Sequence, residues 1–158
     1  MGKPLKRHTA LVPLSQDHHF GLLLSWKIRK GLKVGFEKER IVRYVEYYFG
    51  EHLSTHFELE ERHIFPFLDE NHPMRTLAEK QHRELRALVE EINDFPKGKG
   101  EELETFAEKL EQHIRFEERE LFEHIQQVTP EDKMEELEDK LAYIHRKVDD
   151  TWTDRFWE

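Results

Sequence analysis

Apolar residues recur along most of this chain at alternating steps of three and four, the period of a helix with one face turned to a core. Ala78, His82, Leu85, Val89 and Ile92 fall on one such stripe. Leu103, Phe106, Leu110, His113, Glu117, Leu121, His124 and Val128 form a longer one, and Val45, Tyr48, His52, His56, Glu60, His63 and Phe67 a third. Local chemistry sets the boundaries. Ser15 is placed to cap a first helix that runs to about Lys30, with Gly31 as its stop. A second helix runs from near Glu37 to about Phe65, where Pro66 ends it, because a mid-helix proline costs about 3 kcal/mol or more. A third starts at Pro73, a favoured first helical position, and stops before the loop Phe95-Pro96-Lys97-Gly98-Lys99-Gly100. The fourth covers Glu101 to Val128. A fifth opens with Thr129-Pro130-Glu131-Asp132, a cap followed by proline and acids at the positive helix end, and carries the stripe Met134, Leu137, Leu141, Ile144, Val148.

Four long helices on short connections imply an all-α fold, an antiparallel four-helix bundle with an additional C-terminal helix. Residues 1–158 read as one domain, with a bundle core over about 14–128 and a C-terminal helix and aromatic tail over 129–158. The tail, Trp152 to Trp157, is expected to pack back on the bundle as a cover or association surface.

Composition narrows the chemistry. The formal charge of −9 and the absence of any dense basic block argue against nucleic acid or an anionic membrane as partner. No apolar run approaches the ~20 residues that span a bilayer, and the basic start Met1 to Arg7 lacks a signal peptide's apolar stretch, so a cytoplasmic protein is expected. There is no cysteine, which removes disulfides, thiolate metal sites and cysteine nucleophiles, while there are eleven histidines. The available chemistry is imidazole and carboxylate.

Those side chains stand where the core belongs. His56 and Glu60, and again His113 and Glu117, are four apart on inward stripes, so each imidazole and carboxylate converge on one point. An ionised carboxylate in a core is costly without compensation, and a cation supplies it. The two segments also repeat: His56-Phe57-Glu58-Leu59-Glu60-Glu61-Arg62 and His113-Ile114-Arg115-Phe116-Glu117-Glu118-Arg119 share His-x-x-apolar-Glu-Glu-Arg. Each follows a helix with an inward histidine, Asp17-His18 in the first half and Gln81-His82 in the second. His18 shares the phase of Leu11, Leu14, Leu22 and Ile28, with His19 as the alternative. Two carboxylates able to bridge two metals, with two histidines for each, form a set that suits iron or manganese, with zinc also compatible. Glu61 and Glu118 are expected in partly exposed ion pairs with Arg62 and Arg119. His52, His63 and His124 are expected near the site or packed, and His8, His72 and His145 at the surface. Phe49, Phe57, Phe65, Phe116 and Phe122 read as core.

As a set, His18, His56-x-x-x-Glu60, His82 and His113-x-x-x-Glu117 resemble the hemerythrin HHE cation-binding family over about Leu14 to Val128. The resemblance implies His18, His56, His82 and His113 as terminal ligands and Glu60 and Glu117 as bridges between two iron ions, with an oxo or hydroxo bridge as a further feature. Oxygen-carrying members place His-x-x-x-His on the third helix, whereas here His82 is followed at that spacing by Arg86. Members that act in iron–sulfur repair carry an added cysteine-containing domain, and this chain has no cysteine. The function this implies is a di-iron protein that binds or senses O2, NO or peroxide. The alternatives are a di-iron enzyme that reduces or detoxifies those species, and a metal-free structural bundle.

Overall fold

Every regular element is helical in the computed structural model, which describes residues 6–94 and 100–158; no strand occurs among them. The expected loop at 95–99 and the basic residues 1–5 lie outside the described residues. The elements are α1 (Val12–Val34), α2 (Lys38–Tyr48), α3 (Ser54–His63), α4 (Pro73–Asp94), α5 (Gly100–Phe116), α6 (Phe122–Val128) and α7 (Glu131–Ile144). A π-helical turn, Phe49–Leu53, joins α2 to α3, and a second, Glu117–Leu121, joins α5 to α6. Pro66 sits in a short 3-10 turn, Phe65–Phe67, after α3.

Several boundaries differ from the sequence reading. Ser15 does not cap α1: the helix begins at Val12 with Pro13 in its first turn, and the Ser15 hydroxyl donates to Glu118 instead. Gly31 does not end α1 either. The helix continues to Val34, and Gly35 takes the left-handed conformation (φ +85°) while its N–H reaches the Gly31 carbonyl at 3.1 Å. Gly31 is small for packing reasons, since a Cβ there would stand 2.8 Å from the Phe156 ring and 2.9 Å from Ile41 Cδ1. The helix α7 is preceded by Pro130 rather than Thr129 as its cap, and it ends at Ile144, so Val148 lies on the extended segment beyond it.

The π turns have a larger consequence. Each inserts one residue relative to the α period, so the inward phase after it moves on by one. Leu53, at the end of the first, and Ile64, after it, are buried where the stripe predicted His52 and His63. After the second, Ile125 is buried where His124 was expected, and Val128 is 53 % exposed. Glu60 and Glu117 remain inside.

Helix α1 packs on α2 and α5, and α4 packs on α2 and α5, which closes a ring of contacts around the core. That core is two apolar clusters. One holds Leu24, Ile28, Phe57, Leu85, Leu110 and Ile114; the other holds Leu14, Ile64, Ala78, Leu121 and Ile125. Along four chain segments six buried polar residues stand where the two clusters meet: His18 lies between Leu14 and Leu24 on α1, Glu60 between Phe57 and Ile64 one turn after His56, His82 between Ala78 and Leu85 on α4, and Glu117 between Ile114 and Leu121 one turn after His113. A polar layer is thus sealed above and below by hydrocarbon.

The C-terminal part links the two clusters. Helix α7 buries Met134, Leu137 and Leu141 in one, and the segment after it runs to the other, where Phe156 and Trp157 are buried. Its fastening includes a buried lysine that the periodicity did not reveal. Lys27 Nζ lies 3.9 Å from the centre of the Trp157 ring, 3.0 Å from Tyr44 Oη and 3.1 Å from Asp150. The Tyr44 hydroxyl also donates to Asp150, and Arg40 forks onto Asp154. Among the described residues no helix is long and apolar enough to cross a membrane.

Candidate metal centre

The layer between the clusters brings together six residues from four chain segments. His18, His56, Glu60 and Glu117 offer ligand atoms that all lie within 4.8 Å of one another, and so do Glu60, His82, His113 and Glu117. Both carboxylates belong to both groups. All six side chains are buried. His19, the alternative on α1, is exposed and turned away.

The distances show what kind of place this is. His18 Nε2 lies 3.2 Å from His56 Nε2, and His82 Nε2 lies 3.1 Å from His113 Nε2. Glu117 Oε1 is 2.9 Å from His18 Nε2 and 3.4 Å from His113 Nε2, while Glu60 Oε1 is 3.2 Å from both His56 Nε2 and His82 Nε2. None of the four carboxylate oxygens receives a hydrogen bond of good geometry.

The other side of every imidazole is taken. His18 Nδ1 donates to Glu118 at 2.7 Å, His56 Nδ1 to Asp17 at 2.9 Å, His82 Nδ1 to Glu61 at 2.6 Å and His113 Nδ1 to Gln81 at 2.6 Å. With Nδ1 protonated and committed outward, each neutral ring presents its Nε2 lone pair to the interior. Four nitrogen lone pairs and two carboxylates then face one another with no donor between them. A cation satisfies this arrangement, and the residues present fit one.

Without a cation only protons can do so. Burial pushes the Glu117 carboxyl up and the neighbouring Glu60 pushes it further, to about 8. Burial also works against ionised Glu60, but the charge on His56 and the contacts from His18, His56 and His82 outweigh it and hold Glu60 well below the usual carboxylate range. His56 is raised to about 9, its burial opposed by Glu60 and Asp17. His18 is raised well above the usual imidazole value by Glu117, Glu118 and Glu60 against the effect of burial. His113 moves the other way, held well below it by burial and by His82.

Four outer partners were not foreseen as such. Glu61 and Glu118 do not pair with Arg62 and Arg119, which are exposed. Glu61 holds His82 and receives a fork from Arg86, at 2.6 and 3.1 Å; Glu118 holds His18 and accepts from Ser15. His145, read as a surface residue, is 7 % exposed and bonds Asp17 through Nε2 at 2.9 and 3.0 Å. A signal for the four groups that hold the imidazoles existed in the repeat itself. The residue before each inward histidine (Asp17, Gln81) and the second Glu of each Glu-Glu doublet are polar at matching places. His52 and His63 are half-buried and bond none of the six, and His72 and His124 face each other with ring centres 5.0 Å apart.

Fold and site together define a helical protein with a buried histidine–carboxylate cation site. The sequence model of the hemerythrin HHE cation-binding domain matches residues 16–125, and the chain belongs to that family. No curated protein and no solved structure matches it.

Proposed function

We propose that the chain is an antiparallel four-helix hemerythrin-like bundle whose core holds two iron ions, and that it binds or senses O2, NO or peroxide there. The observation that carries this is the inward convergence of four Nε2 atoms and two shared carboxylates, with every Nδ1 committed outward. His18 and His56 would hold one ion, His82 and His113 the other, with Glu60 and Glu117 common to both. Nitrogen and carboxylate donors of this kind suit iron, with manganese and zinc as competitors. Bound iron supplies one-electron and O2 chemistry, and the protein supplies the donors, the dry surroundings and the limits on access.

Two protein nitrogens and two shared carboxylates leave coordination free at both positions. Arg86, at the spacing where oxygen carriers place another histidine, is engaged with Glu61 and supplies no donor. One space among the described residues reaches a candidate ligand at His56. It holds about 190 Å³ and is bordered by Asp17, His52, Thr55, His145 and Val148. That is below the usual size of a pocket for a drug-sized ligand and ample for a diatomic gas or peroxide. The same reading implies no nucleic-acid or membrane partner and a cytoplasmic setting.

The test is metal analysis of the full chain with optical spectra before and after reduction, followed by O2, NO or peroxide. Two irons per chain and a spectrum that responds to one of these molecules support the reading. Saturation at one ion, or none, overturns it. Sustained turnover of peroxide or NO with a reductant would make the protein an enzyme rather than a sensor.

A further inference from the structure

The two ion positions are built alike in their inner donors and differently in what holds those donors. At the first, His18 bonds the Glu118 carboxylate and His56 bonds the Asp17 carboxylate. At the second, His82 bonds the Glu61 carboxylate, but His113 bonds the Gln81 side-chain amide. The carboxylates themselves are compensated unequally. Arg86 forks onto Glu61 at 2.6 and 3.1 Å, whereas Glu118 takes a serine hydroxyl at 2.8 Å and has Arg7 at 3.7 Å. Asp17 is fixed by His145, which lies beyond the family match at 16–125 and arrives from the segment after α7. His145, Asp17 and His56 form one chain of contacts, their side chains 7, 9 and 5 % exposed. Among the described residues Gln81 has no such third member.

An imidazole that donates Nδ1–H to a carboxylate is a stronger ligand through Nε2 than one that donates to a neutral amide, and loss of such a partner commonly weakens metal binding by about 10–100-fold. We propose that the two ions bind in order, the His18–His56 position filling first and more tightly, and that His145 is a positioning residue that sets this preference through Asp17. This rests on the two-ion centre proposed above.

The experiment is anaerobic titration of the metal-free full chain with Fe(II) against a competing chelator, which gives the two stepwise affinities, with circular dichroism to verify folding. The unmodified chain should show two steps separated by about 10-fold or more. Asp17→Asn gives His56 a neutral acceptor like that of His113, so it should weaken the first step about 10-fold and bring the two together. Gln81→Glu should tighten the second step and leave the first in place. His145→Ala should weaken the first step, and His145→Gln, which keeps an N–H donor towards Asp17, should restore it. Two equal steps in the unmodified chain, or an Asp17→Asn variant that loses the second step instead of the first, would overturn the ordering and leave the two-ion centre standing. Absence of any binding by the folded, unmodified chain would overturn both.

Discussion

The ring of Phe57 lies flat against the imidazole of His82, with 3.9 Å between centroids and 17° between planes. It also meets His113 in a T-shaped contact at 5.8 Å, so one buried residue of α3 packs against both histidines of one proposed ion position. Phe57→Ala should cost about 3–5 kcal/mol of stability through the cavity it leaves. Phe57→Leu fills most of that space without offering a flat face. It should fold, measured by urea denaturation, yet bind the second ion more weakly. Unchanged affinity in that variant would show that His82 is held by Glu61 and Phe65 without the flat face of Phe57.

The metal-free protein should become less stable as pH rises from about 6.5 to about 9. Glu117 has a carboxyl raised from 4.5 to about 8, and His56 an imidazole raised from 6.5 to about 9. Both hold protons in the fold at pH values where the unfolded chain has released them, so stability falls as pH climbs through that window. Below about pH 6.5 the low value of His113 acts with the opposite sign, because the unfolded chain then takes up the proton. Metal replaces these protons, and its binding should release them. Calorimetry at several pH values with and without bound iron checks this. A metal-free melting temperature that does not fall between pH 6.5 and 9 would refute it.

Glu117→Gln removes the carboxyl that burial and Glu60 force to keep its proton. The metal-free variant should melt higher than the unmodified chain above about pH 8, where Glu117 would otherwise ionise inside the core. The same change removes a carboxylate common to both ligand groups, so the variant should no longer retain two ions per chain. Elemental analysis and thermal melts on one preparation read both effects. A variant more stable without metal and deficient with it would separate function from packing at a single residue.

Gly31→Ala should destabilise the fold by roughly 1 kcal/mol. Alanine is worth about 1 kcal/mol over glycine in a helix, but overpacking of a close contact costs about 1–3 kcal/mol. The added carbon would stand 2.8 Å from Phe156 and 2.9 Å from Ile41, inside van der Waals contact with both. Gly50→Ala is the matched control, since a Cβ there meets nothing within 4 Å, and it should be neutral or stabilising. If both variants gain stability, the C-terminal segment yields without cost, and its packing on α1 is loose.

The sequence made the helices and the inner residues of the centre legible because both follow one rule, the recurrence of inward positions at three and four. His18, His56, Glu60, His82, His113 and Glu117 all lie on such stripes, and the structure buries all six in one layer. The rule misplaced His63, His124 and Val128 because a π turn precedes each of them, and nothing in the local residues announces the extra step. His145 was illegible for a different reason. It follows the last helical stripe, and its position depends on where an irregular segment crosses α1, which periodicity does not encode. Lys27 was hidden by its charge, since only the later arrival of Asp150 and Trp157 makes its burial tolerable.

The contact of His145 with Asp17 also bears on how such a centre can be altered by inheritance. The six inner residues lie on the stretch that the family model matches, while His145, which bonds the Asp17 partner of His56, comes from a segment outside it. If the proposed two-ion centre holds, changes in that segment would leave the six inner residues untouched and alter one ion position more than the other. Grafting the C-terminal segments of relatives onto this chain would therefore produce a graded set of centres with identical donors, separable by their affinities and spectra.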